Sequence, residues 1–159
     1  MAACQVIFDT DHNLLLASGT ASGKTEAAFL PVLTQIHNKP SRSVAVMYIS
    51  PLKALINDQF KRLEQLLLDV NIPVTKWHGD ASMTMKNKLI KEPEGILQIT
   101  PESLESLVTN KRGACLSMFS DLRFVVIDEV HYFMRDVLGL QLLCVLERLR
   151  RLTGVNPRR

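Results

Sequence analysis

Two short segments carry residue types that could do chemistry on a nucleotide. Residues 18–25 read Ser-Gly-Thr-Ala-Ser-Gly-Lys-Thr, and this run can surround a polyphosphate with backbone amides and one ammonium group. Far along the chain, the apolar run 124–127 leads directly into Asp128 and Glu129. One of these carboxylates is suited to hold Mg²⁺, and the other is suited to activate a water molecule. In this order, the two segments predict a nucleoside-triphosphate site.

The first segment is predicted to be a phosphate-binding loop. Its glycines allow the backbone to approach an anion closely, and the loop leads into a helix N-terminus whose amides favour negative charge. We expect Lys24 to reach the β- and γ-phosphates and the Thr25 hydroxyl to coordinate Mg²⁺. Ser18 stands where the strict pattern has its first glycine, so a plain helix start remains an alternative. The predicted nucleotide-binding residues are Gly19, Thr20, Ala21, Ser22, Gly23, Lys24, Thr25 and Glu26.

The second segment is predicted to supply the metal ligand and the catalytic base. Adjacent carboxylates repel each other and resist desolvation, so ending a buried strand in two of them would be unfavourable without a cation or water network. We predict that Asp128 holds Mg²⁺, through a water, and that Glu129 deprotonates the attacking water, with Lys24 as the third catalytic residue. The alternative is a solvated strand end or a helix N-terminus that tolerates acids.

Apolar runs alternate with segments of helical spacing along the whole chain. Several of the apolar runs lack the polar alternation of a half-exposed strand, which indicates a parallel sheet with helices on both faces. Ligands bind such sheets at the carboxyl ends of the strands, where residues 18–25 and Asp128 are predicted to lie. The predicted strands are 13–17, 44–49, 74–77, 95–99 and 122–127, and the predicted helices are 24–37, a long one opened by Pro51, 82–91, one opened by Pro101, and 138–152.

Composition sets broad limits on the function. The 159 residues are one domain by length, and 47% hydrophobic with 22% charged residues is ordinary for a soluble globular protein. A net charge of +3 permits nucleic-acid binding without requiring it. The three cysteines show no pairing pattern, which favours reduced thiols and a cytoplasmic location. No apolar run is long enough to cross a membrane, and no signal peptide is visible.

Taken together, these motifs resemble the first RecA-like domain of a superfamily 2 helicase of the DEAD/DEAH-box type. The box reads Asp-Glu-Val-His at 128–131, and the phrases at 50–55, 77–80 and 100–104 are closest to the branch of large helicase-related proteins. The resemblance covers nearly the whole chain. It implies an α/β fold of the RecA-like P-loop NTPase type, with ATP and Mg²⁺ as cofactors and single-stranded or partly duplex DNA or RNA as partner.

The resemblance also implies which residues contact nucleic acid. The family's strand-binding segments match Pro51, Lys53, Ala54, Gly79, Thr100, Pro101 and Glu102, and helix N-termini and a lysine are suitable phosphate contacts. Without the resemblance, the two prolines could be ordinary helix starters and Lys53 a solvated surface residue. The fourth box residue, His131, is implied to couple the nucleotide state to strand binding. A histidine at this place could instead be a satisfied packing residue.

Two further features allow more than one interpretation. Trp77 could stack on a base, but a single tryptophan on a short strand is more often part of the core. Five arginines lie near the end of the chain, and we expect a solvated helix face before a nucleic-acid patch. They are Arg148, Arg150, Arg151, Arg158 and Arg159.

The resemblance implies that residues 1–159 form one N-terminal RecA-like lobe, truncated at both ends, with the second RecA-like domain and its arginine finger outside this chain. The leading hypothesis is a helicase motor lobe that couples ATP hydrolysis to strand translocation and unwinding, and that is weak or inactive alone. One alternative is the lobe of a duplex translocase or remodeller that never separates strands. Another is a non-catalytic, nucleotide-gated module that binds nucleic acid.

Overall fold

A computed structural model describes residues 2–17, 19, 23–67, 70–134 and 137–159. In these residues four strands form one sheet in the order β2-β3-β1-β4, and every neighbouring pair is parallel. The predicted α/β fold with a parallel sheet is therefore confirmed. The strands are β1 (Val46–Ile49), β2 (Val74–Trp77), β3 (Ile96–Ile99) and β4 (Phe124–Ile127).

Helices cover both faces of this sheet. Side chains of a strand alternate between its two faces, and the apolar residues of β1 accordingly divide between two buried clusters. One cluster packs against α1, α2 and α3, and the other packs against α4, α5, α6 and α7. The helices are α1 (Ala2–Asp9), α2 (Lys24–Asn38), α3 (Lys53–Leu67), α4 (Met83–Lys91), α5 (Pro101–Asn110), α6 (Arg112–Met118) and α7 (Val137–Thr153), with a 3₁₀ turn at Val130–Tyr132.

One predicted strand is absent. Residues 13–17 form no strand, and Leu15 is 73% exposed. A strand needs a neighbour along its length, and the backbone of this segment makes one such bond among the described residues, from the Leu14 amide to the Arg159 carbonyl at 2.9 Å. An apolar run is therefore not sufficient to define a strand.

The helices differ from prediction in two respects. The long helix begins at Lys53 and not at Pro51, which lies in a bend before it. Helices α1 and α6 were not predicted, because both are short. Helix α2 runs without interruption through Pro31, which is buried.

The carboxyl ends of the four strands are level with one another. Ile49 pairs with Ile99 on one side and with Ile127 on the other, and Ile99 pairs with Trp77. Neighbouring strands are about 4.8 Å apart, so the end of β2 lies about 14 Å from the end of β4 along this edge. Every loop that carries a predicted site residue after a strand therefore opens on the same edge of the sheet.

The two ends of the chain are joined by Arg158. Its guanidinium donates to the carbonyls of Val6 at 2.9 Å and Ile7 at 2.8 Å in the last turn of α1, and also to that of His12. A cation at a helix C-terminus satisfies carbonyls that have no partner within the helix. On its other side, the Arg158 carbonyl accepts from the Val125 amide of β4 at 2.7 Å.

Two further observations concern membrane-spanning helices and the cysteine thiols. No helix in the described part of the chain is long and apolar enough to span a membrane. Cys115 is buried, Cys4 is half-buried and Cys144 is exposed, and all three are free thiols. Burial raises the pKa of the Cys115 thiol to about 11.

Gly95, directly before β3, offers a test of the sheet geometry. Its φ is +68°, and an added Cβ would lie 2.1 Å from the Pro73 carbonyl oxygen. We expect Gly95→Ala to lower the free energy of unfolding by about 2 to 4 kcal/mol, because backbone strain and a backbone clash add. Urea denaturation measures this change. Gly113→Ala is the matched control: its Cβ meets nothing within 4 Å, and in helix α6 it should be neutral or stabilising by up to about 1 kcal/mol. Equal stability of the two variants would contradict the described turn.

Candidate nucleotide site and nucleic-acid interface

The predicted phosphate loop leads into the N-terminus of α2. Gly23 precedes the helix in the left-handed region, with φ of 77°, which a residue with a Cβ adopts only with strain. The Lys24 ammonium donates to the Gly19 carbonyl at 2.8 Å, so its positive charge lies over the loop. Among the described residues, nothing lies within 4 Å of a Cβ added at Gly19. Helix amides and an ammonium group together fit a polyphosphate.

Part of this loop lies outside the described residues. Of the eight predicted nucleotide contacts, Gly19, Gly23, Lys24, Thr25 and Glu26 are described. The others, Thr20, Ala21 and Ser22, are not, and Ser18 is also outside the described residues.

A buried tyrosine connects the phosphate-loop helix to the paired acids. Phe29 of α2 is 1% exposed, and its ring lies 5.7 Å from that of Tyr48 on β1. The Tyr48 hydroxyl donates a short hydrogen bond to Asp128 Oδ2 at the end of β4. Phe29 is five residues after Lys24, or about 7.5 Å along the helix. These contacts join α2, the helix that begins at Lys24, to Asp128 through two aromatic side chains. Sequence reasoning missed Tyr48, because it looks like any other residue of a buried strand.

The acid pair is held in a specific geometry. The other oxygen of Asp128, Oδ1, accepts from the Glu129 amide at 2.9 Å. Glu129 has φ of 49°, which is uncommon for a residue other than glycine and turns its side chain away from the line of the strand. Its Oε2 lies 3.2 Å from Nδ1 of His131. The His131 side chain is 68% exposed, and its ring lies 4.8 Å from that of Tyr132.

The first turn of α2 is also in contact with α3. The Thr25 hydroxyl accepts from Gln59 Nε2 at 3.2 Å, and Glu26 Oε1 lies 2.7 Å from the guanidinium of Arg62. A backbone hydrogen bond, followed by the Arg62 contact, lowers the pKa of Glu26. Gln59 and Arg62 were not among the predicted site residues, because no local pattern marks a contact between separate helices.

Thr25 and Asp128 carry oxygens of the kind that Mg²⁺ takes beside a triphosphate. Magnesium prefers oxygen ligands and commonly takes only one or two from the protein, keeping waters and phosphate oxygens for the rest. The Thr25 hydroxyl and the Asp128 carboxylate are such oxygens. Within the described residues there is no cluster of three His, Cys, Asp or Glu that could hold a metal ion on its own.

The other predicted interface residues follow β1 and β2 on the same edge. Lys53, the first residue of α3, forms an ion pair with Asp80 at 2.9 Å, and both side chains are at least half exposed. The ammonium passes close to Gly79, where an added Cβ would lie 3.5 Å away. The hydrogen bond and charge of Lys53 lower the pKa of Asp80. Pro51 is half-buried and Ala54 is exposed beside this pair.

After β3, the Thr100 side chain is used inside the protein. It is 4% exposed, and its hydroxyl accepts from the Ser103 amide at 3.4 Å as the N-cap of α5. Pro101 is buried and has no amide hydrogen, while Glu102 is exposed. Of the three residues predicted here, Glu102 therefore presents the amide that can face an anion at this helix end.

The structure decides between the two interpretations of Trp77 and of the arginines near the end of the chain. Trp77 is 7% exposed within the core, as the second interpretation held. Arg148 pairs with Glu105, and Arg150 and Arg151 pair with Glu147, as on a solvated helix face. Arg158 lies outside that face, on the segment that binds α1.

Compared with known protein families, residues 1–159 match the one described as DEAD/DEAH box helicase. This chain belongs to that family. It is 33% identical over 160 residues to the ATP-dependent helicase Lhr-Core protein 2 of Thermococcus barophilus, and 34% identical over 159 residues to the ATP-dependent helicase Lhr-Core of Methanothermobacter thermautotrophicus. Each match covers 90% of this chain and 18% of the relative, so the chain spans about a fifth of the length of these proteins.

Solved structures place this DEAD/DEAH box helicase domain in the same fold. The DUF1998 helicase MrfA, solved bound to DNA, superposes with a TM-score of 0.86 at 30% identity, over 99% of this chain and 22% of MrfA. The DEAD-box helicase Mss116, solved with ssRNA and UDP-BeF, has a TM-score of 0.81 at 17% identity, over 96% of this chain and 32% of Mss116. The second likeness shows the RecA-like fold alone. The resemblance found from the motifs is thus confirmed.

The pKa of Tyr48 gives a pH-dependent test of the buried contact. Burial, with the Asp128 charge and hydrogen bond, raises this pKa far above its usual range, so the folded protein keeps a proton that the unfolded chain releases above about pH 10. The unfolded state then binds fewer protons, and the free energy of unfolding must fall as the pH rises past 10.

Tyr132→Phe leaves Tyr48 as the single tyrosine of the chain and makes this measurable. We expect tyrosinate absorbance to appear only when the protein unfolds in alkali. The double variant with Tyr48→Phe should lose this part of the alkaline destabilisation. Tyrosinate formation near pH 10 in the folded Tyr132→Phe protein would show that the contact with Asp128 is wrong.

Proposed function

We propose that residues 1–159 are the N-terminal ATP-binding lobe of a nucleic-acid-dependent motor, in which hydrolysis of Mg-ATP drives movement along a strand. The observation that supports this most directly is the shared contact of Tyr48 with Phe29 of the phosphate-loop helix and with Asp128. That contact links the helix that follows the lysine-bearing loop to the first of the paired acids, which supports a shared site. Relatives named ATP-dependent helicases, and a DNA-bound helicase of the same fold, support the same function.

Each residue has an assigned role in this proposal. Lys24 and the amides at the start of α2 bind the β- and γ-phosphates, and the Thr25 hydroxyl and the Asp128 carboxylate hold Mg²⁺. When bound, the metal neutralises phosphate charge and orients the triphosphate. Glu129 accepts the proton of the attacking water at Oε1, while its Oε2 stays against His131. His131 passes the state of this site to the strand-binding loops.

The nucleic acid is proposed to cross the level carboxyl ends of β1, β2 and β3. Lys53, the exposed backbone around Gly79 and the amide of Glu102 would contact phosphates there, and such contacts position a strand without reading its sequence. The second RecA-like domain is proposed to close on the nucleotide from the other side and to supply an arginine. A missing arginine of this kind costs roughly 10³ to 10⁵ in rate, so the chain alone should hydrolyse ATP slowly at most.

Two other functions use the same residues. A duplex translocase keeps the ATPase but does not separate strands, and a strand-displacement assay on the full-length protein distinguishes it from a helicase. A non-catalytic, nucleotide-gated binding module needs no base. The described geometry of Glu129, turned at φ of 49° and held by His131, favours a catalytic site.

Glu129→Gln tests the assigned base. The amide keeps the size of the side chain but cannot take a proton, so nucleic-acid-stimulated phosphate release by the full-length protein should fall by roughly 10² to 10⁴. Binding of a fluorescent ATP analogue should persist, whereas Lys24→Ala should lose both. Unchanged phosphate release in Glu129→Gln would remove the assignment of the base.

Lys53→Ala tests the proposed strand contact. It should weaken binding to single strands of any sequence and reduce the slope of log affinity against log salt by about 0.7, the value for one phosphate contact. Fluorescence anisotropy with labelled oligonucleotides at several salt concentrations measures both. Asp80→Asn removes the carboxylate that pairs with Lys53, so binding should become tighter. Lys61→Ala is the control, because it removes an exposed charge from the same helix away from this edge. An equal effect of Lys53→Ala and Lys61→Ala would indicate net charge alone.

A further inference from the structure

Helix α3 reaches the nucleotide end of α2 with two side chains. Gln59 Nε2 donates to Thr25 Oγ1 at 3.2 Å, and Arg62 pairs with Glu26 at 2.7 Å. Gln59 and Arg62 are three residues apart and therefore share one face of α3. Their partners are consecutive residues in the first turn of α2. Both contacts thus join the middle of α3 to the turn that carries the predicted metal ligand.

Neither contact is needed to hold α3 on the sheet. The helix is anchored by Ile56, Leu63 and Leu67, which are 4% exposed or less. The Arg62 and Glu26 side chains are 55% and 42% exposed, and an ion pair this open adds about 0 to 1 kcal/mol to stability. Their main effect is therefore on the position of α3 relative to α2.

The same helix begins at the proposed strand contact. Lys53 is six residues before Gln59, which is about 9 Å along a helix. Asn57, one turn after Lys53, accepts from Lys76 of β2 at 3.1 Å. A single rigid element therefore presents Lys53 to the sheet edge and contacts the nucleotide end of α2 farther along.

The chemistry of Thr25 makes its contact with Gln59 sensitive to a bound cation. A hydroxyl has one donor and two acceptor lone pairs, and one of these lone pairs accepts from Gln59. The second lone pair can face a cation. A cation there withdraws charge from the oxygen that Gln59 contacts, so occupancy of the metal site changes the strength of this hydrogen bond.

We propose that Gln59 and Arg62 are positioning residues that couple the nucleotide site to the strand contact at Lys53, with α3 as the element that moves between them. This inference rests on the proposed function, because it requires both ligands to bind. It adds a route through α3 that is separate from the one assigned to His131. The coupling is reciprocal, so each ligand must change the affinity of the other by the same factor.

The test measures this factor in the full-length protein. Affinity for a fluorescent, non-hydrolysable ATP analogue with MgCl₂ is measured with and without saturating oligothymidylate or oligouridylate, whichever the protein binds. The ratio of these two affinities is the coupling factor. The affinity for the oligonucleotide is then measured with and without the saturating ATP analogue. We expect Gln59→Ala and Arg62→Ala to move the ratio toward one by roughly 2- to 30-fold, and the double variant to move it further. Affinity for the oligonucleotide alone should not change, and Arg62→Lys should restore part of the ratio.

Matched controls are available on the same helix. Lys61→Ala and Glu64→Ala remove exposed side chains on other faces of α3 than the one shared by Gln59 and Arg62, and both should keep the wild-type ratio. A wild-type ratio in the Gln59→Ala/Arg62→Ala protein, with both ligands still bound, would overturn this inference and leave the proposed function intact. A lower unfolding midpoint with that same ratio would assign the two residues a structural role only, which also overturns it. Failure of the wild-type protein to bind the ATP analogue would overturn the proposed function and this inference together.

Discussion

The hydrogen bond from Tyr48 to Asp128 joins parts of the sequence that have no other obvious reason to meet. The hydroxyl and the carboxylate are 80 residues apart, and the tyrosine ring also supports the helix that begins at Lys24. A partly buried carboxylate is costly unless a donor compensates it. The tyrosine provides that donor while its ring stays in the core. Without it, Asp128 would lack one of its two described hydrogen bonds and α2 would lose an aromatic neighbour.

The level edge of the sheet brings the two proposed sites of this small domain next to each other. Four parallel strands end at the same height, so their loops form one continuous row. The β4 end carries the two acids, whereas the β1 and β2 ends carry the Lys53–Asp80 pair. The row is about 14 Å long, so the two regions are neighbours without overlapping. In other parallel sheets, ligands also bind at the carboxyl ends of the strands.

Much of the fold could be predicted because its signals are local. Buried runs such as 124–127, and helix starts such as Pro101 after its capping Thr100, are visible in a few consecutive residues. The prediction of a strand at 13–17 was wrong because a strand needs a neighbouring strand to pair with. A run of leucines does not reveal whether such a neighbour is present. Helices α1 and α6 were missed at the level of the sequence because both are short, and tertiary contacts stabilise such short helices.

The residues of the candidate site also divide into those that a local pattern reveals and those that it does not. Lys24, Thr25, Asp128 and Glu129 stand in recognisable patterns, so their residue types alone suggest chemistry. The contacts made by Tyr48, Gln59 and Arg62 join residues that are 34 to 80 positions apart in the sequence. No local spacing pattern predicts contacts of this kind. The role of Thr100 was obscured for another reason, because a hydroxyl before a proline suits a phosphate contact and a helix cap equally well.

The bonds from Arg158 to α1 have a consequence for synthesis on the ribosome. They connect residues about 150 positions apart, so the carbonyls at the end of α1 wait for this guanidinium until nearly all of these 159 residues have been translated. Contacts of such long range are slow to form, because the loop they close is large. The emerging polypeptide would therefore settle α1 late, and the side of α2 that packs against α1 would be open to chaperones in the meantime.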